Sequence, residues 1–188
     1  MIPGITLQAA QTDDHFQGIL KLQMQNLYTV VNPEQQSKEG FVFAQHNLQV
    51  LKQMASSVPQ VIALYANKVI GYNLAMTSSM QNTLESLAPM FNEFKKCYYG
   101  GKPLTEYEYI VGGQVCVDKA FRGQGLLSKL YHETRNQVAP AYQLCVTEIS
   151  QQNPKSLLAH QKMGFEVIAT YHDENQPWDI VAWDMHRL

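Results

Sequence analysis

Hydrophobic and polar residues at the start of the chain alternate with the period of a strand and then change to the period of a helix. Residues 5–10, ITLQAA, predict an opening strand. Thr12 precedes two aspartates, which is typical of a helix N-terminus. The predicted inner face of this helix consists of Phe16, Ile19, Leu20, Gln23, Leu27 and Val30. We expect Asn32 and Pro33 to stop it, and a second helix to cover residues 39–56.

A β-hairpin and an insertion are predicted next. The apolar runs at 61–65 and 69–76 flank a short turn in which Asn67 tolerates the required backbone geometry. Residues 78–105 then return to a helical period, carried by Leu84, Leu87, Phe91 and Phe94. Pro89 predicts a kink or a division into two short helices. This helical insertion is expected either to pack over the sheet or to cover an acceptor site.

The second half of the chain predicts alternating strands and helices. The apolar run with Val115 and Val117 predicts a strand, and Leu126, Leu127, Leu130 and Tyr131 form one face of a helix that ends near Pro140. Residues 142–149 predict another strand. Asn153 and Pro154 start the last helix, which Gly164 ends. Residues 165–171 and 180–185 predict a closing antiparallel pair.

Two glycines, Gly123 and Gly125, lie where a strand gives way to a helix. Glycine permits a tight turn and the close approach of a ligand, and the free N–H groups of the first helical turn attract anions. The spacing lacks the lysine of a Walker loop, and Ser128 stands where a dinucleotide-binding motif has its third glycine. The sequence predicts a phosphate-binding turn, with an ordinary turn before a surface helix as the alternative.

Residues 122–127, RGQGLL, resemble the Q/R-x-x-G-x-G/A signature of the GNAT N-acetyltransferase superfamily. Residues 153–165, NPKSLLAHQKMGF, resemble the second signature of that family, N-x-x-[AS]-x-x-x-[YH]-x-K-x-G-F. The two segments occur in the family's order, and the match covers about residues 112–165. Leu127 departs from the pattern, because the family prefers glycine or alanine at this position.

The resemblance implies an α/β (α+β) fold with a central mixed, mostly antiparallel sheet of six to seven strands, flanked by helices. In this fold the fourth and fifth strands splay apart, and Gly112 and Gly113 are candidates for a bulge that creates the splay. The family binds acetyl-CoA as cosubstrate and transfers the acetyl group to an amine by direct attack in a ternary complex. The implied cofactor-binding residues are Val115, Cys116, Val117, Arg122, Gly123, Gln124, Gly125, Leu126, Leu127, Ser128 and Asn153. Arg122 is expected to shape the loop or to meet a phosphate.

Six residues are candidates for catalysis or acceptor binding. Glu148, at the end of the fifth strand, is the predicted general base, since partial burial would raise its pKa; the alternatives are an exposed carboxylate or one that only binds the charge of the amine. His160 stands where the family places a tyrosine that protonates the leaving thiolate, and histidine can serve as an acid near neutral pH; contact with the cofactor or a place on the helix surface is the alternative. The predicted acceptor contacts are Glu106, Glu108, Tyr109 and Gln114.

Composition narrows the class of protein. The chain has 188 residues and a formal net charge of −2, which fits one domain from residue 1 to 188 and argues against nucleic acid or anionic membrane as partner. Three cysteines and six histidines show no metal-ligand spacing, so no metal is expected. The first residues lack a signal peptide pattern, and no apolar run is long enough to span a membrane, so a cytoplasmic protein is predicted.

The predicted function is therefore acetyl transfer from acetyl-CoA to the amine of a small molecule or amino acid derivative. Two alternatives stay open at this point: a noncatalytic CoA-binding or regulatory module, and an N-acetyltransferase of proteins or peptides. A homodimer is also left open by the sequence.

Overall fold

The structure, a computed structural model, describes residues 3–82 and 87–187, apart from the side chain of Asn82. The strands are β1 (Ile5–Ala9), β2 (Val61–Tyr65), β3 (Lys68–Met76), β4 (Tyr98–Tyr99), β5 (Lys102–Pro103), β6 (Tyr109–Val117), β7 (Leu144–Ser150), β8 (Glu166–His172) and β9 (Pro177–Asp184). The helices are α1 (Asp13–Asn26), α2 (Pro33–Glu39), α3 (Leu48–Ser57), α4 (Ala88–Phe94), α5 (Leu126–Val138) and α6 (Pro154–Gln161). Within these ranges, seven strands form one mixed sheet in the order β1-β2-β3-β6-β7-β9-β8, and β4 pairs with β5 separately.

The sheet lies between two layers of helices because successive side chains of a strand point to opposite faces. Ile62 of β2 belongs to a buried cluster that includes residues of α1, α3 and α4. Its neighbours Val61 and Ala63 pack with Leu126 and Leu130 of α5 on the other face. The expected α/β fold with a mostly antiparallel sheet is confirmed.

The fourth and fifth strands of this sheet, β6 and β7, separate at Gly112. They pair in parallel only from Tyr109 and Leu144 to Val111 and Val146. The register of β6 with β3 shifts between Leu74 and Ala75, so that Gly113 has no partner on β3. The predicted bulge and splay are therefore both present, and they coincide in the chain.

The first half of the chain contains three helices where the sequence predicted two, and of the helix predicted at 39–56 only the part from Leu48 onward is present, as α3. Asn32 and Pro33 start α2 rather than only ending α1, because the Asn32 side chain caps the N–H of Gln35 and proline occupies the first turn. Gly40, with a φ of 76°, ends α2, and Asn47 caps α3. Residues 40–47 are thus an irregular segment, here called the roof segment.

The insertion forms α4, a short 3₁₀ turn before it (Ser78–Asn82) and the β4–β5 hairpin after it. Pro89 lies in the first turn of α4, where its missing N–H costs nothing, so it divides the insertion rather than kinking a helix. Phe91 and Phe94 are fully buried in the core. Leu84, a predicted core position, lies outside the described residues.

Candidate functional site

Two cavities meet beneath the roof segment. The turn cavity, about 230 Å³, lies beside the glycine turn and is bordered by Cys116, Val117, Arg122, Gly123, Gly125 and Leu127, among others. The sheet cavity, about 160 Å³, lies over the splay and is bordered by Gly113, Gln114, Tyr131, Glu148, His160 and Trp178, among others. Phe41, Val42, Val115, Asn153 and Ser156 border both cavities. The two cavities are therefore adjacent parts of one site.

The glycine turn presents open backbone at the start of α5. Gly123 and Gly125 have φ angles of 74° and 72°, a conformation that L side chains rarely adopt. A Cβ placed on either glycine would meet no atom within 4 Å, so the space beside the turn is free for a ligand. Gly125 gives α5 no side-chain cap, and the first helical bond comes from Lys129. The N–H groups of residues 126–128 are thus left to an anion.

The other predicted residues of this turn lie at different depths. Gln124 is exposed and Ser128 is half-buried, and both contribute to the turn through their backbone. Leu126 is buried against the sheet. Leu127, the departure from the family pattern, is half-buried and packs against two hydrophobic clusters while it borders the turn cavity. The extra bulk of Leu127 is therefore absorbed largely by packing.

Arg122 ties the turn to the ends of two helices. Its Nε donates to the Val117 carbonyl at 2.9 Å, its Nη1 lies 3.1 Å from the Glu39 carboxylate, and its Nη2 donates to the Asn26 side chain. Glu39 also pairs with Lys119 at 2.6 Å, and the hydrogen bond from Lys119 lowers the pKa of Glu39. Of the two roles predicted for Arg122, these contacts fit the shaping of the loop.

Replacement of Arg122 should therefore act first on stability. We expect Arg122→Met to lower the free energy of unfolding by about 1–3 kcal/mol, because the Val117 carbonyl and the Asn26 side-chain oxygen lose their donor. Urea unfolding measures this change. Arg187→Met is the matched control, since its ion pair with Glu166 is largely exposed and should contribute less than about 1 kcal/mol. Equal losses in the two variants would contradict the anchoring role.

One edge of β6 faces the turn cavity. Val115, Cys116 and Val117 pair with β3 on their other side, and pairing with β7 has already ended at Val111. The Val117 carbonyl is taken by Arg122, whereas the edge at Val115 lies where the two cavities join. Burial raises the pKa of the Cys116 thiol to about 12, so it remains protonated. This edge is suited to an extended, amide-bearing ligand that adds on like a strand.

Glu148 brings a carboxylate to the sheet cavity. It lies on β7 just beyond the point where pairing with β6 ends, and it is half-buried. Burial, and secondarily the charge of Asp173, raise its pKa to about 7, while a hydrogen bond from the Tyr171 hydroxyl to Oε2 opposes that shift. Near neutral pH this carboxyl is therefore divided between its protonated and ionised forms, as a proton acceptor requires.

His160 is held as a neutral ring. Its Nδ1 lies 2.7 Å from the Ser156 carbonyl, which can only accept, so Nδ1 carries the proton. Nε2 then accepts from the Tyr131 hydroxyl at 2.9 Å. His160 is buried, and desolvation lowers its pKa to about 4. These contacts leave no ring N–H for a leaving thiolate, and they favour an orienting role over the predicted acid role.

Tyr131 was interpreted from sequence only as part of the apolar face of α5. Its hydroxyl lies 3.3 Å from the position a Cβ would take on Gly112, at the vertex of the splay. Desolvation raises the pKa of Tyr131, so its hydroxyl keeps its proton. The pairing of Tyr131 with His160 is the candidate functional feature that sequence reasoning missed. The position of His160 in the second signature was the one signal that pointed to it.

Two side-chain amides hold the roof segment over the site. Nδ2 of Asn153 donates to the Phe41 carbonyl at 2.9 Å, while its Oδ1 caps α6 as predicted. Nε2 of Gln114 donates to the Ala44 carbonyl at 2.8 Å, and its Oε1 accepts from Gln23 and from the hydroxyl of Tyr72. Gln114 thus borders the sheet cavity as predicted, but its amide is committed to the roof segment.

Three predicted acceptor residues are not brought to the site. Glu106 and Glu108 are exposed, and Tyr109 packs edge-to-face on Phe94. All three lie at or before the start of β6, where it is still paired with β7, and none borders either cavity. Because they lie so far before the splay, they do not reach the sheet cavity, where the sequence predicted them to contact the acceptor.

The described residues, 3–82 and 87–187, contain no cluster of three or more His, Cys, Asp or Glu side chains that could hold a metal ion. None of the helices described is long and apolar enough to cross a membrane.

Comparison with known proteins identifies the fold. No protein-family model and no curated protein matches the sequence. Solved structures do match over nearly the whole chain. The ribosomal-protein-S18-alanine N-acetyltransferase from Escherichia coli has a TM-score of 0.62 at 9% identity, covering 98% of this chain and 96% of that one. A GNAT family acetyltransferase from Elizabethkingia anophelis with acetyl-CoA bound has a TM-score of 0.58 at 14% identity, covering 97% and 99%.

Arabidopsis thaliana NAA60 in complex with acetyl-CoA also matches, with a TM-score of 0.63 at 11% identity, covering 96% of this chain and 99% of that one. At these identities the likeness establishes the fold. The chain has the fold of GNAT acetyltransferases, as the two sequence signatures implied.

Proposed function

We propose that this protein is an acetyl-CoA-dependent N-acetyltransferase that acts on the amine of a small molecule. The observation that carries the proposal is that the turn cavity and the sheet cavity meet. An open anion-binding turn borders the turn cavity, and a carboxyl with a pKa of about 7 borders the sheet cavity. The fold, shared with N-acetyltransferases, supports the same conclusion.

The residues of the turn cavity fit the chemistry of coenzyme A. The N–H groups at the start of α5 and the open space beside Gly123 and Gly125 suit a pyrophosphate. The edge of β6 at Val115 and Cys116 suits the amides of the pantetheine arm, and the position of Val115 between the cavities suits the thioester end. Acetyl-CoA supplies an acetyl group activated as a thioester.

Glu148 would take the proton that the attacking ammonium must lose before its nitrogen becomes nucleophilic. The nitrogen then forms a bond to the acetyl carbon and the bond to sulfur breaks. The second proton that the nitrogen loses on becoming an amide balances the proton that the thiolate takes up. Gly113, which has no partner on β3, offers a backbone N–H for the developing oxyanion at the sheet cavity. Tyr131 has its hydroxyl at the vertex of the splay, and its one proton, which His160 accepts in this structure, would turn to the departing sulfur.

A small acceptor is favoured over a long peptide by the walls of the sheet cavity. Phe43 of the roof segment and Leu87 and Met90 at the start of α4 border a space of only about 160 Å³. The insertion therefore serves both predicted roles in this proposal, because α4 packs into the core and also closes one side of the acceptor space.

The deciding experiment measures thiol release from acetyl-CoA in the presence of a panel of amines. The protein's cysteines do not interfere, because Cys97, Cys116 and Cys145 are buried and burial raises the pKa of each thiol. We expect amine-dependent release with acetylated product. Cofactor binding without release on any amine would favour a noncatalytic module, and release on peptides alone would favour a peptide acetyltransferase.

Replacement of Tyr131 tests the proposed contact with sulfur. We expect Tyr131→Phe to lower kcat by roughly 10- to 100-fold with the affinity for acetyl-CoA unchanged, because the hydroxyl proton that would turn from His160 to the leaving sulfur is lost. Stopped-flow thiol release and calorimetric titration give the two values. Tyr98→Phe is the control, since Tyr98 is exposed on β4. A wild-type kcat in Tyr131→Phe would assign Tyr131 to packing.

A further inference from the structure

We propose that the acceptor is a primary amine with a single positive charge, carried on an uncharged apolar body about the size of one aromatic ring. This inference rests on the proposed function and names its substrate class. It comes from the walls, the charges and the volume of the sheet cavity.

Six large apolar side chains border the sheet cavity and not the turn cavity. They are Phe43, Met54, Met76, Leu87, Met90 and Trp178. These side chains come from the roof segment, α3, β3, the start of α4 and β9, so five separate parts of the chain contribute apolar side chains to the cavity. Methionine side chains adapt to ligands of irregular shape, and the two aromatic rings offer flat contacts. Such a surface gains free energy only from an apolar partner.

The charge that the described side chains bring to the sheet cavity is negative. Among the described residues that border it, Glu148 is the one carboxylate, and none is lysine or arginine. His46 is buried and neutral, because desolvation lowers its pKa to about 4. Asp173 acts on Glu148 and Tyr171 from behind the wall and adds further negative charge. An acceptor carboxylate would therefore lie beside like charges without a cation to pair with.

A second ammonium group is disfavoured for a different reason. Glu148 can balance one positive charge, and the other described residues that border the cavity, Met54, Met76 and Met90 among them, offer no second carboxylate. A diamine would have to bury its second charge against methionine side chains, which is costly. The cavity thus favours an acceptor with one positive charge over an acceptor that carries a carboxylate and over a diamine.

The volume limits the size of the apolar body. The sheet cavity measures about 160 Å³, and an engineered apolar cavity of about 150 Å³ in another protein holds benzene. One ring or a chain of similar volume fits this space.

The test compares matched amines on the wild-type protein. We expect kcat/KM for 2-phenylethylamine to exceed that for phenylalanine by roughly 100-fold, since the two differ only in a carboxylate that would be buried unpaired. Phenylalaninamide is about the size of phenylalanine but has no carboxylate, so its kcat/KM should lie near that of 2-phenylethylamine. Hexylamine should likewise exceed 1,6-diaminohexane by at least about tenfold. Thiol release measures all five rates.

A variant that adds the missing cation sharpens the test. Leu87 is half-buried and borders the cavity, so Leu87→Lys should narrow the preference for 2-phenylethylamine over phenylalanine by at least about tenfold. Leu158→Lys is the matched control, because Leu158 is 48% exposed on α6 and does not border the cavity. It should leave the ratio unchanged.

The outcomes separate this inference from the proposed function. Turnover of phenylalanine as fast as 2-phenylethylamine would overturn the inference and leave the acetyltransferase standing. Faster turnover of a peptide with an N-terminal phenylalanine than of any small amine would overturn the limit on size. Acetyl-CoA binding, measured separately by calorimetry without any amine, shows whether the cofactor site itself is intact in every case.

Discussion

Glu148→Gln should lower kcat/KM by roughly 100- to 10,000-fold at pH 8, the largest loss expected from a single change in the acceptor site. Glutamine keeps the size and polarity of the side chain but cannot accept the proton from the ammonium. The wild-type rate should rise about tenfold per pH unit below pH 7 and level off above it, because burial raises the pKa of Glu148 to about 7. The rate of Glu148→Gln should not show this rise with pH.

Glu166→Gln is the control for Glu148→Gln. Glu166 is exposed on β8 and pairs with Arg187 at 3.3 Å, away from both cavities. Glu166→Gln should have the rate and the pH profile of the wild type. A pH profile with its step near 7 retained in Glu148→Gln would assign the proton acceptor to another group.

The same carboxyl links stability to pH. The pKa of Glu148 rises from an ordinary 4.5 to about 7 in the folded protein, so the folded state holds a proton that the unfolded state releases. The stability that this group contributes is complete below pH 4.5 and is lost as the pH rises through 7. Glu148→Gln should therefore gain stability relative to the wild type over this range, measured by urea unfolding at several pH values.

Gly125→Glu should abolish the binding of acetyl-CoA. In the wild type, acetyl-CoA at 100 times its Kd should stabilise the fold by about 2.7 kcal/mol, which raises Tm by several degrees. A glutamate at this position places a carboxylate in the space beside the N-terminus of α5, where the phosphates are expected, and removes the rise in Tm. Thermal unfolding with and without acetyl-CoA checks this result.

Gly101→Glu is a closely matched control for Gly125→Glu. Gly101 has a φ of 80° and a Cβ there would meet nothing within 4 Å, as at Gly125, but it lies in the β4–β5 hairpin. Both variants thus carry the same backbone strain and the same new charge. A full rise in Tm with Gly125→Glu, or its loss with Gly101→Glu, would contradict the assigned phosphate site.

The parts of the site that the sequence predicted depend on local signals. Glycines between an apolar strand and an amphipathic helix are enough to predict the turn at Gly123 and Gly125. Asn153 before Pro154 is enough to predict the cap of α6. Glu148 could be placed at the end of a strand, although its contact with Tyr171 could not be foreseen. These features form within a few residues, so their pattern is visible in the chain.

The parts that the sequence did not predict depend on contacts between distant residues. The roof segment is irregular partly because Gln114 and Asn153 bind its carbonyls at Ala44 and Phe41, across 70 and 112 residues. Pro33 was ambiguous, because a proline both ends one helix and begins another. The orientation of His160 depends on Tyr131, 29 residues away. Apart from the position of His160 in the second signature, no local pattern pointed to these contacts.

Phe41 and Val42 border both cavities, so in the proposed function the same two side chains would meet both substrates. If bound acetyl-CoA restricts the motion of these two side chains, it also restricts part of the wall of the sheet cavity, where the amine would bind. By linkage, any factor by which the cofactor tightens the binding of an unreactive amine analogue must equal the factor by which that analogue tightens the cofactor. An ordered kinetic mechanism, with the cofactor first, would then arise from the roof segment.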